Sequence, residues 1–244
     1  MNSSRKTAII VGVLYIIGTV AGILSVVFTG SILGGQDYLI KVSANENQII
    51  TGALFVLTMG LALAMVPVML FPVLKKQNEA LALGYVVFRG ALETAMYIAT
   101  VIIWLFLLIT SQEYVKAGTP DASHFETLGA LLLKGNDSIS PILVIVFGLG
   151  ALMLYYMFYQ SKLIPRWISV WGFISIILHL ATGFLIIFHL QSPFSTINTV
   201  MNFPIFLQEM VMAVWLIVKG FDPSAIPFQS ARGFTSSAIS SGSV

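Results

Sequence analysis

"GYVVFRGALETAMYIATVIIWLFLL", residues Gly84 to Leu108, decides the fold class. About twenty mostly apolar residues suffice to cross a bilayer, and this stretch supplies them, yet it carries Arg89 and Glu93 one helical turn apart. Each charge costs about 2.5–3.5 kcal/mol at the centre of a span. Each Leu, Ile, Val or Phe returns about 0.3–0.6 kcal/mol. The apolar residues outweigh the pair, and the segment inserts.

The rest of the chain has the same character. Of its 244 residues 57% are hydrophobic and only 9% are charged, and the mean hydropathy is +0.94. A soluble domain carries about a quarter charged residues, so there is too little polar surface here to coat a globule in water. A net charge of +2 gives no footprint for nucleic acid. The absence of cysteine excludes disulfides, thiol catalysis and thiolate metal sites.

Six stretches are long and apolar enough to span: Ala8–Thr29, Ile49–Leu74, Leu81–Ile109, Ile139–Tyr159, Pro165–Leu190 and Val200–Val218. A seventh, "SHFETLGALLLKGND", is too short. It opens with Ser123 and Glu126 in capping-box spacing and closes at Lys134–Gly135, which predicts a short interfacial helix on the outer surface. The expected fold is therefore all-α, a polytopic transmembrane bundle of six spans plus one short external helix. Residues 1–220 form the bundle. Residues 221–244, rich in Ser, Gly and Pro, read as a flexible cytoplasmic tail.

Basic residues set the orientation. Arg5, Lys6, Lys75, Lys76, Lys162, Arg166, Lys219 and Arg232 fall on one side of a six-span chain, whereas Lys41, Lys116 and Lys134 fall on the other. The positive-inside rule puts both termini in the cytoplasm. Tyr155, Tyr156, Tyr159, Trp167, Trp171 and Trp215 gather at the predicted inner ends, as an interfacial belt does.

Depth then separates the candidate site residues. At 1.5 Å per residue, Arg89 lies about 12 Å and Glu93 about 18 Å from the inner end of their helix. Glu209 lies about 15 Å deep in the last span and His179 about 21 Å deep in the fifth. Polar groups in hydrocarbon face the bundle interior and find partners, so Arg89 is expected to pair either with Glu93 on its own helix or with Glu209 on the last one. One arginine for two carboxylates leaves one acid over. Each residue also has a structural reading: a self-neutralising pair, a counter-ion, or an imidazole bonded to a backbone or Ser175 oxygen.

No phosphate-binding loop, His-Glu-x-x-His or nucleophile-elbow motif is present. His179, Glu93 and Glu209 could supply three zinc ligands on paper, but no spacing fixes their geometry, so no metal or cofactor is implied. Asn136–Asp137–Ser138 matches a glycosylation sequon. Gly18 and Gly22 form a small-xxx-small pair expected to pack within the chain.

The order of the segments is itself distinctive. "RKTAIIVGVLYIIGTVAGILS", "FPVLKKQNEALALGYVVFR", "SKLIPRWISVWGFI" and "EMVMAVWLIVKGFDPSA" follow one another over nearly the whole chain. They resemble an uncharacterised family of prokaryotic integral membrane proteins, the domain-of-unknown-function family numbered four-three-eight-six. The resemblance implies a multi-pass helical protein of the plasma membrane. It carries over no activity, substrate or catalytic residue.

The favoured functional reading is a transport-like or small-ligand-binding bundle, its polar site built from Arg89, Glu93, Glu209 and His179, with a small solute or ion as ligand and the lipid bilayer as its surroundings. The alternative is a structural or regulatory membrane partner whose charges only hold helices together. An intramembrane enzyme ranks below both.

Overall fold

Without water, a backbone inside the bilayer must satisfy its own hydrogen bonds, and a continuous helix does so within one segment. The computed structural model describes residues 3–35, 37–117, 122–191 and 195–225, and no strand occurs among them. The helices are α1 (Ser3–Thr29), α2 (Tyr38–Ala44), α3 (Glu46–Leu74), α4 (Glu79–Tyr85), α5 (Glu93–Ala117), α6 (Ala122–Ser161), α7 (Arg166–Ile187) and α8 (Thr196–Val218). A π-helical segment, Val86–Leu92, joins α4 to α5, so Glu79–Ala117 is one continuous rod. Among the described residues six helices are long and apolar enough to cross a membrane, and they match the six expected stretches.

The spans form a ring in chain order. α1 packs on α3, α3 on the α4–α5 rod, the rod on α6, α6 on α7 and α7 on α8, and α8 returns to α1. Gly18 and Gly22 face Leu63 and Met59 of α3, so the small pair is spent inside the chain. At the closing seam Gly12 lies against the Ala213 carbonyl and Ile217; a Cβ at Gly12 would stand 2.6 Å from both. Arg5 fastens the same seam, donating to the carbonyls of Leu216, Ile217 and Val218. A cation on the last carbonyls of a helix also suits its dipole.

The outer stretch around Ser123–Asp137 differs from its expected form. It does not stop at Lys134–Gly135 but forms the first part of the 40-residue α6. A glycine inside a helix costs only about 1 kcal/mol, and packing outweighs that here. The Trp104 indole donates to the Asn136 side chain, and the Ser138 hydroxyl to the Lys134 carbonyl. The sequon is thus helix, with Asn136 engaged by Trp104. The short external helix is instead α2, whose Leu39 and Val42 are buried with Ile49, Trp104 and Leu107. At 1.5 Å per residue the rod and α6 are roughly 30 Å longer than the hydrocarbon is thick. They project together, with α2 against them.

Of the expected tail, residues 226–244 lie outside the described residues, as does Arg232. Its first residues are docked: Phe221 is buried, and Asp222 N–H donates to the Leu163 carbonyl.

Candidate functional site

The rod delivers Arg89 and Glu93 to the bundle interior through its π-helical turn. Such wide turns are rare and tend to mark functional places. Gly90 faces Pro67 of α3, and Gly150 of α6 comes so near that a Cβ there would sit 3.2 Å from the Arg89 nitrogen. The turn is clamped on both sides, and Arg89 within it has little freedom. Arg89 is 2% exposed and Glu93 1%.

Arg89 takes both acids. Its Nη1 donates to Glu93 Oε1 and Oε2 at 2.8 and 2.9 Å, and its Nη2 donates to Glu209 Oε1 at 3.2 Å. The two sequence alternatives for its partner are therefore both realised. Phe147 stacks on the guanidinium at 4.4 Å, and the Tyr15 ring lies 5.9 Å away. The desolvated cation–π contact adds roughly 1–2 kcal/mol.

The acids are not equivalent. Glu93 is locked, because the Tyr97 hydroxyl also donates to its Oε1 at 3.0 Å. The Glu209 side chain is 16% exposed and has only the Arg89 bond among the described residues. It lines a cavity of about 630 Å³ bounded by α1, α3, α5, α6, α7 and α8. The cavity extends to Val27 and Asn198 near the far ends of α1 and α8, and its wall is mostly apolar.

His179 lines the same cavity without touching Arg89 or either acid through a hydrogen bond. Its Nδ1 is hydrogen-bonded to Asn202 Oδ1, and its ring meets the edge of Phe147 with centroids 4.9 Å apart. The expected backbone or Ser175 partner is replaced by Asn202, and among the described residues the Ser175 hydroxyl has no hydrogen bond. Asn202 in turn donates to Asn198 Oδ1, and Thr182 donates to the His179 carbonyl. Among the described residues no group of three or more His, Asp or Glu could hold a metal ion. The paper trio of His179, Glu93 and Glu209 does not converge.

Several participants were not anticipated. Tyr97 is four residues from Glu93, so the same spacing that linked Arg89 to Glu93 points to it. Asn198, Asn202 and Glu209 sit four and seven residues apart, a helical stripe readable from α8 alone. Phe147, Tyr15 and the π turn left no signal separable from ordinary span composition. On the side of the site nearer the termini, Tyr15 and Tyr85 hydroxyls meet at 3.2 Å, and Tyr155 donates to Gln208, all four residues buried.

The sequence pattern described as Domain of unknown function (DUF4386) matches residues 10–220, which takes in all the long helices above except the first seven residues of α1. The chain belongs to this family. Membership agrees with a multi-pass helical bundle and assigns no chemistry to the buried ion cluster. No curated protein and no solved structure matches the chain.

Proposed function

We propose that this membrane protein takes up a small, largely apolar solute bearing a positive charge, binds it in the cavity between α1 and α8, and moves it in a transport-like cycle. The observation that carries the reading is the inequality of the two acids. Glu93 neutralises Arg89 from behind, which leaves Glu209 as the surplus negative charge on an apolar cavity wall. An anionic group with one partner in a water-poor site attracts a cation or a donor. Phe147 and His179 offer flat faces beside it.

The test uses an isosteric pair of lipophilic ions, tetraphenylphosphonium and tetraphenylborate, with the protein in nanodiscs. Saturable binding of the cation alone, weakened roughly tenfold or more in Glu209→Gln, supports the reading; a tenfold loss corresponds to about 1.4 kcal/mol. No saturable cation binding, or binding indifferent to Glu209→Gln, sinks it and favours charges that serve packing alone.

We also place the protein in the plasma membrane with both termini in the cytoplasm. Seven described basic residues, Arg5, Lys6, Lys75, Lys76, Lys162, Arg166 and Lys219, lie toward the face that carries the termini. Because no cysteine is present, single cysteines report cleanly. An impermeant maleimide added to cells should label position 37 and spare position 76; the reverse pattern overturns the orientation.

A further inference from the structure

On the terminal face, away from the ion cluster, the α6–α7 turn and the chain leaving α8 enclose a second cavity of about 540 Å³. Lys162, Arg166 and Lys219 line it together with Trp215 and one acid, Asp222. None of the three cations makes an ion pair among the described residues. Arg166 uses only its Nε, on the Tyr159 carbonyl, and lies over the Tyr159 ring. Asp222 is turned to its own loop, accepting from the Ser224 N–H and hydroxyl, which hold its carboxyl below the usual carboxylate range.

Lys162 adds a second kind of evidence. Its φ is +58°, a left-handed conformation that favours glycine. The turn needs it, because Leu163 and Ile164 dive straight into the core after the Lys162 N–H closes α6 on the Phe158 carbonyl. Glycine would serve that backbone with less strain. The lysine at this position places its side chain on the cavity wall.

The level of the cavity names the ligand class. Trp167 stacks near Trp171 at 6.3 Å and meets Trp215 edge-on at 6.5 Å, at the same end of the spans, and clustered tryptophans at span ends are typical of the headgroup level. We propose that this cavity is a binding site for the phosphodiester headgroup of an anionic phospholipid, with Lys162, Arg166 and Lys219 as its ligands. Basic pockets between spans on the cytoplasmic side are suited to such headgroups. The inference does not depend on any solute binding at Glu209.

The experiment is competition between phosphatidylglycerol and phosphatidylcholine for the purified full chain in mixed micelles, read by native mass spectrometry. Three cations against one acid predict roughly tenfold preferential retention of phosphatidylglycerol. The triple variant Lys162→Gln, Arg166→Gln, Lys219→Gln should bring that preference close to unity. Lys162→Gly alone should lower it roughly threefold while the melting temperature stays level or rises, which separates lost binding from lost folding. The pair Lys75→Gln, Lys76→Gln on the same face should leave it unchanged. No preference in the parent, an unchanged preference in the triple variant, or an equal loss at Lys75 and Lys76 overturns the site. Displacement of the lipid by excess inorganic phosphate would also overturn it, in favour of a free-phosphate site.

Discussion

Glutamine at each acid in turn separates the fastened carboxylate from the free one. In Glu93→Gln the amide keeps one acceptor, but in either orientation its NH₂ group faces the Arg89 Nη1 donor, which stands 2.8–2.9 Å from the present oxygens. Arg89 also loses its nearest neutralising charge in a site where it is 2% exposed. Removing one member of a buried ion pair typically costs about 3–5 kcal/mol. In Glu209→Gln the amide oxygen can still accept the single 3.2 Å bond from Arg89, and the other half of the side chain borders the cavity. That change costs about 1 kcal/mol, the gap between a charged and a neutral acceptor. The two variants should therefore differ by about 2–4 kcal/mol, roughly 30-fold or more in the folding equilibrium. Reversible unfolding in mixed dodecyl maltoside and dodecyl sulfate micelles, followed by tryptophan emission, measures both. Equal costs, or a larger cost at Glu209, would refute the division of labour and with it the reason for placing solute binding at Glu209.

Arg89→Met leaves two carboxylates uncompensated and should cost about 3–5 kcal/mol in the same assay. The triple variant Arg89→Met, Glu93→Leu, Glu209→Leu should recover most of that loss, since apolar replacement of a whole buried ion cluster is often neutral or stabilising; single and triple variants of equal stability would show that the charges are not coupled. Arg5→Gln removes three carbonyl contacts at the α1–α8 seam, partly exposed ones, and should cost about 1–2 kcal/mol. Its hydrogen exchange should rise over Leu216–Val218 and not over α7; a uniform rise would show that the clasp is not local.

The spans were legible because the bilayer imposes a length and an apolar composition that few other folds share. Arg89 and Glu93 were legible as a pair for the same elementary reason, four residues on a helix. Glu209 followed from the need of any intramembrane acid for a partner. What spacing could not give was simultaneity. A guanidinium has five N–H donors in a fixed fork, so counting charges one against one understated what a single arginine can hold. The run-on of α6 was hidden for another reason. Gly135 looks like a stop only if the helix there has nothing to pack on, and the residues that meet it, Ile103 beside Gly135 and Trp104 on Asn136, stand on the α5 helix. His179 was expected to bond a backbone or Ser175 oxygen, whereas its partner, Asn202, stands on another helix. Contacts between helices are where a linear reading runs out.

The two halves of the α1–α8 seam bear on how a bound solute could move. Toward the termini the seam is latched by Arg5 and by the close approach at Gly12, and beside it Tyr85 and Tyr155 of the neighbouring helices are fully buried, each about 9 Å from the end of its helix. Toward the far face the same two helices leave Val26, Val27, Val200 and Phe203 between 55% and 68% exposed, and the cavity reaches the residues beside them. Glu209 lies between these regions, where tight packing gives way to open wall. A channel would need a continuous path past that point, and the buried tyrosine layer interrupts it. A carrier of the kind proposed above would need a site near the middle of the membrane that faces one side at a time, and the unequal seam is compatible with that requirement. The groups that would have to part for a solute to leave toward the termini are then definite: the Arg5 clasp, and the Tyr15–Tyr85 and Tyr155–Gln208 hydrogen bonds. Each is a bond between a side chain and a neighbouring helix or its carbonyls, of the kind that two rigid halves can break and remake, whereas the Arg89–Glu93 pair lies within one helix and can move with it intact.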